Sequence, residues 1–174
     1  MKIIIGLGNL GSKHQNNRHN AGYMVIDKLS QILNSKSETL NKSKIQIHKS
    51  KSYMNNSGSF VLEKLKAYNI KPEALYVIHD DLDIKLGEFK IQFGKGPKEH
   101  KGLISIYEAL GTREFWHVRV GIENRQQAIS KAWPTSSVGT RAKGEEYVLQ
   151  DFTGEERVIL NGVIKQICNQ LENL

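Results

Sequence analysis

The sequence contains very little cysteine: Cys168 is the only one among 174 residues. This excludes a disulfide framework or a cysteine-built metal site within the chain. Long apolar runs are also missing, since no stretch approaches the roughly 18 apolar residues that a membrane-spanning helix needs. The apolar start at residues 1–7 is too short for a secretory leader and runs directly into glycines. We therefore expect a cytoplasmic protein.

Acidic residues are outnumbered by basic ones, at 18 against 25, which gives a formal net charge of +7 at pH 7. Such a balance favours a polyanionic partner, nucleic acid above all. The lysines gather in two segments, of which the first is equally well explained as a solvated surface. The first segment contains Lys36, Lys42, Lys44, Lys49 and Lys51, and the second contains Lys85, Lys90, Lys95, Lys98 and Lys101.

Strand-like and helix-like patterns alternate along the chain, whose length suits one domain. The predicted strands are 2–7, about 45–48, 75–79, 88–93 and 115–122, and the predicted helices are about 21–34, 58–69, 102–110 and 154–172. This alternation predicts a single-domain, three-layer α/β sandwich over residues 1–174, with a mixed, mostly parallel sheet and helices on both faces. The irregular segment at about 123–144 is expected to be a mobile loop or lid, or simply disordered.

A literal G-x-G-x-x-G stands at residues 6–11, directly after the first predicted strand. A dinucleotide site would require a helix to begin at the third glycine, with an acidic residue at a second strand end about 20 residues on. Residues 12–20 are polar throughout and predict a loop, while Asp27 falls inside a predicted helix. The pattern therefore does not favour a dinucleotide-binding turn.

Polar clusters follow the predicted strands. Residues 9–20 follow the first strand, 53–58 the second and 79–83 the third, while 94–102 follow the fourth. Ligands of α/β sheets gather at the carboxyl ends of the strands. We therefore expect these four clusters to converge on one crevice.

The best pair for chemistry in this crevice is His19 with Asp80. An imidazole titrates near neutrality, and a carboxylate can fix its tautomer and stabilise its charged form, which suits activation of water. No Gly-x-Ser-x-Gly elbow is present, so a serine nucleophile is not favoured. The simpler alternatives are a surface or capping histidine, with Asn20 capping the next helix, and a turn aspartate. Asn9 and Asn55 carry amides that suit gripping a carbonyl, although either is equally typical of a turn.

A metal site is the alternative for the acidic run, because His79, Asp80, Asp81 and Asp83 supply oxygen and nitrogen ligands. Along an extended segment, however, Asp80 points away from both of its neighbours. We therefore favour a site without metal, and we expect no cofactor.

Taken in order, the motifs resemble those of one family, the bacterial-type peptidyl-tRNA hydrolases. The resemblance runs from residue 2 to about 150 and rests on the combination more than on any single piece. The motifs are GLGNLG, RHNAG, YMNNSG, HDDLD, LGEFKI, HKGL, VRVGI and YVL. This resemblance implies that the protein is a monomer and hydrolyses the ester between a peptide and the terminal ribose of tRNA.

The resemblance also implies residue roles. His19 is the general base that activates water, Asp80 stabilises its basic form, and Asn9 senses the peptide main chain, so that blocked and free aminoacyl-tRNA are distinguished. The substrate cleft and its rim are formed by Asn9, His14, Tyr53, Met54, Asn55, His100 and Lys101. The positions that meet tRNA phosphates are Lys90, Lys95, Lys98 and Arg119.

Several positions depart from the family pattern. Leu10 replaces a proline, His14 a tyrosine and Asn17 a threonine, while Lys101 replaces a substrate-binding asparagine. An ammonium donates hydrogen bonds but cannot accept them, so contacts that used the amide carbonyl are lost. These departures leave a second hypothesis, namely a homologue with weakened chemistry that binds tRNA or other RNA.

Overall fold

A computed structural model describes residues 1–35, 45–97, 99–125 and 144–174 of the chain. A five-stranded sheet forms its centre, in the order β2-β1-β3-β5-β4. The strands are β1 (Lys2–Gly6), β2 (Ile45–Lys49), β3 (Leu75–Lys85), β4 (Phe89–Phe93) and β5 (Trp116–Glu123). β4 alone pairs antiparallel, against β5, and the other pairings are parallel. This confirms the predicted mixed, mostly parallel sheet.

Helices cover both faces of the sheet, as predicted. They are α1 (Ala21–Ser35), α2 (Ser57–Tyr68), α3 (Lys101–Leu110), α4 (Gly144–Val148) and α5 (Gly154–Leu171). Within the described residues, none of these helices combines the length and apolarity needed to cross a membrane. Most of the segment predicted as a loop or lid, residues 126–143, lies outside the described part of the chain.

The alternation of side chains along the strands divides the core into two clusters. On one face, Ile4, Ile78 and Val118 pack with residues of α1 and α5. On the other face, Ile3 and Val77 pack with residues of α2 and α3. Each helix therefore buries an apolar side against the sheet, and this fixes the loops at the strand ends in place.

The third strand is longer than predicted. It continues to Lys85, so that the acidic run lies within the strand and not after it. The extension is held by β5, where Asp80 pairs with Val120 and Asp81 with Gly121 before the register shifts. Since β1 ends at Gly6, opposite Ile78, Asp80 projects beyond the end of the neighbouring strand.

The glycines at and after the end of β1 allow close packing. A Cβ on Gly6 would lie 2.5 Å from the carbonyl oxygen of Gly22, and one on Gly8 would lie 2.7 Å from the ring of Tyr23. Residues after Gly11 form a short 3-10 turn, Ser12–His14, in place of the helix that a dinucleotide site requires. The loop is therefore pressed against the start of α1.

Candidate active site

The centre of the site is a hydrogen bond between His19 and Asp80. His19 lies in a 3-10 turn directly before α1, and Asp80 lies on the projecting part of β3. His19 Nδ1 is 2.8 Å from Asp80 Oδ1, and both residues are buried. Because a carboxylate can only accept, Nδ1 carries the proton and Nε2 of the neutral ring is left as an acceptor. The predicted pair is thus brought together with a basic nitrogen available.

A second imidazole bonds to the same carboxylate oxygen. His100 Nε2 donates to Asp80 Oδ1 at 3.0 Å, and His100 Nδ1 accepts the backbone N–H of Leu103 at 3.3 Å, which caps α3. The resemblance placed His100 on the rim of the cleft, whereas the structure buries it against Asp80. The two contacts together fix the His100 tautomer and help to hold the Asp80 carboxylate in place.

The pKa values of the central pair shift in opposite directions. Burial lowers the pKa of His19, but attraction to Asp80 and their hydrogen bond outweigh it, so the net pKa lies above the ordinary value of 6.5. Lys101 opposes this rise in the pKa of His19 by charge repulsion. Burial raises the pKa of Asp80, yet His19 and His100 overcome this effect and bring it far below its usual range. Asp80 is therefore ionised at every physiological pH.

Hydrogen bonds hold the backbone and the side-chain oxygen of Asn9 in place, and its side-chain nitrogen remains available to a ligand. Asn20 accepts the backbone N–H of Asn9 at 2.8 Å and donates to its carbonyl at 3.0 Å. Asn9 Oδ1 accepts the backbone N–H of Met54 at 3.1 Å. This contact identifies the oxygen, and Asn9 Nδ2 has no hydrogen-bond partner among the residues that the structure describes. The site thus presents a fixed amide donor.

The other predicted cleft residues differ in exposure. Met54 is buried, while Tyr53 is 57% exposed and Asn55 is also exposed. His14 is half-buried, and its Nδ1 lies 2.8 Å from Asn17 Oδ1. Tyr53 and Asn55 are therefore free to meet a ligand, whereas Met54 contributes its backbone to the position of Asn9.

The predicted cationic positions also differ from one another. Lys90 and Lys95 are exposed, and the Lys101 ammonium forms an exposed ion pair with Glu145 at 3.0 Å. The side chain of Arg119 is only 13% exposed. Its guanidinium bonds to Asp81 at 2.7 Å and to Gln92 at 2.9 Å, and Lys98 lies outside the described residues.

If the site held a metal ion, its ligands would differ from those that the acidic run suggests. Among the described residues, the histidine, cysteine or acidic side chains whose donor atoms gather within 4.8 Å are His19, Asp80 and His100. His79 and Asp81 instead contact the Asp80 carbonyl and Arg119, respectively. A cation at the triad would displace the hydrogen bonds that now join its three members.

Asn20 has a role that the sequence does not predict. As an asparagine directly before a predicted helix it is expected to cap that helix. Its side chain instead holds Asn9, eleven residues earlier. The only feature of the sequence that points to this role is that Asn20 directly follows His19. The spacing of nearby residues does not predict a contact between Asn20 and Asn9.

Known proteins share this architecture. A family model for peptidyl-tRNA hydrolase matches residues 3–174. The peptidyl-tRNA hydrolase of Mycoplasmopsis synoviae strain 53 is 36% identical over 176 residues, which cover 97% of this chain and 87% of the relative. That of Geotalea uraniireducens strain Rf4 is 36% identical over 187 residues, covering 100% and 90%.

Solved structures agree with these matches. The crystal structure of peptidyl-tRNA hydrolase from Acinetobacter baumannii matches with a TM-score of 0.75 and 28% identity, covering 99% of this chain and 87% of that one. The resemblance found in the motifs is therefore confirmed in sequence and in fold. The chain belongs to the peptidyl-tRNA hydrolase family.

Proposed function

We propose that this enzyme hydrolyses the ester of peptidyl-tRNA with a water molecule that His19 activates. Membership of the family makes the chain a peptidyl-tRNA hydrolase, and the identity of the base is our inference. The observation that carries it is the hydrogen bond from His19 Nδ1 to Asp80, which leaves Nε2 as the only basic nitrogen of that ring.

The proposed reaction has two steps. In the first, Nε2 of His19 takes a proton from water as the oxygen attacks the ester carbonyl, and the Asp80 carboxylate stabilises the imidazolium that forms. In the second, the tetrahedral intermediate collapses and the ribose oxygen leaves with the proton returned by His19. The products are tRNA with a free hydroxyl and a peptide with a free carboxylic acid, which ionises by releasing its proton to water. His100 keeps Asp80 in place throughout.

Asn9 selects the substrate in this proposal. Its free Nδ2 donates to a peptide carbonyl, and its own orientation is fixed by Asn20 and Met54. Free aminoacyl-tRNA has an ammonium group and no peptide carbonyl beyond the ester. An ammonium cannot accept the hydrogen bond that Asn9 offers, so blocked substrates are preferred.

The exposed lysines supply attraction for the tRNA. Lys90 and Lys95 lie at the β4 side of the sheet with their side chains exposed. Lysine contacts with phosphates position a nucleic acid without reading its sequence. We also propose, from the family resemblance, that the enzyme acts as a monomer in the cytoplasm, and that Lys98 and Arg119 assist in phosphate binding.

Release of N-acetyl-amino acid from N-acetyl-aminoacyl-tRNA tests this function, with free aminoacyl-tRNA as the comparison and with EDTA present or absent. We expect hydrolysis of the blocked substrate alone, at the same rate in EDTA. Binding of tRNA without hydrolysis would contradict the proposal in favour of the RNA-binding homologue. Loss of activity in EDTA would contradict it in favour of a metal held by the His19, Asp80 and His100 triad.

A further inference from the structure

The turn that carries His19 is attached to the rest of the protein on both sides. On one side, the Asn20 side chain bonds to the backbone of Asn9. On the other side, Arg18 directly precedes His19 and is only 2% exposed, and its side chain extends to the segment between α4 and α5. Hydrolysis as described above gives Arg18 no part.

The Arg18 guanidinium makes two short hydrogen bonds to different acceptors. Nη2 donates to a carboxylate oxygen of Glu156 at 2.6 Å, and Nη1 donates to the backbone carbonyl of Asp151 at 2.7 Å. The central carbon, Cζ, lies 4.2 Å from the centre of the Tyr147 ring and 5.3 Å from the centre of the Phe152 ring. Because a guanidinium is planar and its donors form a rigid fork, these contacts fix both its position and its orientation.

The carboxylate of Glu156 is itself held from two other directions. Oε2 also accepts the backbone N–H of Thr153 at 2.8 Å, in the capping box that begins α5, and Oε1 accepts Asn124 Nδ2 at 2.9 Å. Burial raises the pKa of Glu156, but hydrogen bonds from Thr153, Asn124 and Arg18 outweigh this effect and lower the pKa below its ordinary value. Arg18 therefore bonds to a carboxylate that is ionised and fixed in place.

Backbone hydrogen bonds join the same two segments. The N–H of Arg18 donates to the carbonyl of Gln150 at 3.0 Å, and the N–H of Phe152 donates to the carbonyl of Asn16 at 3.1 Å. The residues before His19 are thus paired with the link between α4 and α5. Because His19 is the next residue after Arg18, a displacement of Arg18 also displaces the imidazole of His19.

We propose that Arg18 is a positioning residue for the catalytic base: by fixing its turn against the start of α5, it keeps His19 within hydrogen-bonding distance of Asp80. The proposal rests on the proposed function, because it takes His19 to be the base. It gives the link between α4 and α5 an influence on the rate of hydrolysis that acts through His19.

Arg18→Lys tests the proposal, because it keeps the positive charge and loses the fork with which one guanidinium reaches two acceptors. We expect kcat for N-acetyl-aminoacyl-tRNA to fall by about 10- to 100-fold with KM unchanged, since a displacement of about 1 Å can cost about 100-fold in rate. The matched control is Ile167→Ala, which removes buried volume elsewhere in α5. It should lower the melting temperature and leave kcat unchanged, when all variants are assayed at a temperature at which circular dichroism shows them folded.

A double-mutant cycle with Asp80→Asn separates positioning from general destabilisation. In the Asp80→Asn protein, the contact that Arg18 maintains is already weakened, so Arg18→Lys should lower kcat there by a clearly smaller factor than in the unmodified enzyme. The same factor in both proteins would overturn the proposal, because Arg18 would then act independently of the bond between His19 and Asp80.

The pKa of His19, measured by NMR without substrate, gives a readout that does not depend on activity. Among the described residues, the titratable and charged groups that face His19 are Asp80 on β3 and His100 and Lys101 at the start of α3. Arg18→Lys changes none of these groups and weakens the contact with Asp80, which raises the pKa of His19, so this pKa should fall. Ile167→Ala should leave it unchanged.

The failure of this proposal differs from the failure of the proposed function. An unchanged kcat or an unchanged pKa of His19 in Arg18→Lys would overturn the positioning role while hydrolysis by the unmodified enzyme continues. Absence of hydrolysis by the unmodified enzyme would refute the proposed function instead, and a lowered pKa of His19 in Arg18→Lys would still support the contact that Arg18 maintains.

Discussion

Replacing Asp80 with asparagine tests the centre of the site, because it removes a charge and almost no volume. One oxygen of this carboxylate accepts hydrogen bonds from His19 at 2.8 Å and from His100 at 3.0 Å. The carbonyl oxygen of the amide that replaces it can accept the same two bonds, but it carries no negative charge, so both bonds become weaker. The imidazolium that forms on His19 during the reaction also loses its counter-charge.

The size of the effect follows from the charge that the acceptor loses. A hydrogen bond to a charged group contributes about 1.5–3 kcal/mol, and each 1.4 kcal/mol in the barrier is about tenfold in rate. Because the bond strengthens when His19 becomes charged in the transition state, we expect kcat to fall by about 10- to 150-fold.

The structure also predicts the direction in which the pH dependence of activity shifts in Asp80→Asn. The base works only when His19 is neutral, so activity falls as the pH drops through its pKa. Asp80 holds this pKa above 6.5, while burial and Lys101 lower it. Without the carboxylate charge, the lowering effects of burial and Lys101 are no longer opposed by it, so the acidic limb of kcat/KM should move to lower pH.

The assay is kcat/KM for N-acetyl-aminoacyl-tRNA between about pH 5 and 9, where ordinary histidines titrate, for the unmodified enzyme, Asp80→Asn and Asp83→Asn. Asp83 is the matched control, since it is exposed and lies on the same strand. Asp83→Asn should behave as the unmodified enzyme. The reasoning is refuted if Asp80→Asn keeps full activity, or if its acidic limb does not move.

Two further substitutions test other parts of the account. Lys101→Asn should lower KM for N-acetyl-aminoacyl-tRNA, because an amide both donates and accepts where the ammonium only donates; a higher KM would show that the lysine has an adapted role. Arg18→Met should lower the free energy of unfolding in urea by about 3–5 kcal/mol, because it leaves the buried Glu156 carboxylate without its cationic partner at 2.6 Å. Lys64→Met, at an exposed pair, should cost less than about 1 kcal/mol, and an equal loss in both variants would contradict the argument from burial.

The general architecture followed from hydrophobic patterning because each strand and helix buries a distinct apolar side. Ile3 and Ile4 alternate between the two core clusters, and that period of two is visible in the sequence. The length of β3 could not be predicted from hydrophobic patterning, because its charged residues are typical of a loop. Asp80 and Asp81 remain in the strand only because β5 pairs with them, and local sequence does not contain that pairing.

The candidate site was predictable in its members but not in all its contacts. The chemistry of His19 and Asp80 predicts that they form a pair, although 61 residues separate them. The bond of His100 to the same carboxylate depends on how the start of α3 meets β3, and the hold of Asn20 on Asn9 depends on how the segment between β1 and α1 folds back on itself. Such contacts join residues that are distant in sequence or lie in an irregular segment, where periodicity carries no information.

The most direct test of the central claim is the single-turnover rate of His19→Ala with N-acetyl-aminoacyl-tRNA, measured at saturating enzyme together with the Kd for deacylated tRNA. A lost general base costs about 10²- to 10⁴-fold, so the account predicts a fall in the cleavage rate of that size with the Kd unchanged. A cleavage rate close to that of the unmodified enzyme would show that another group activates the water and would contradict the account.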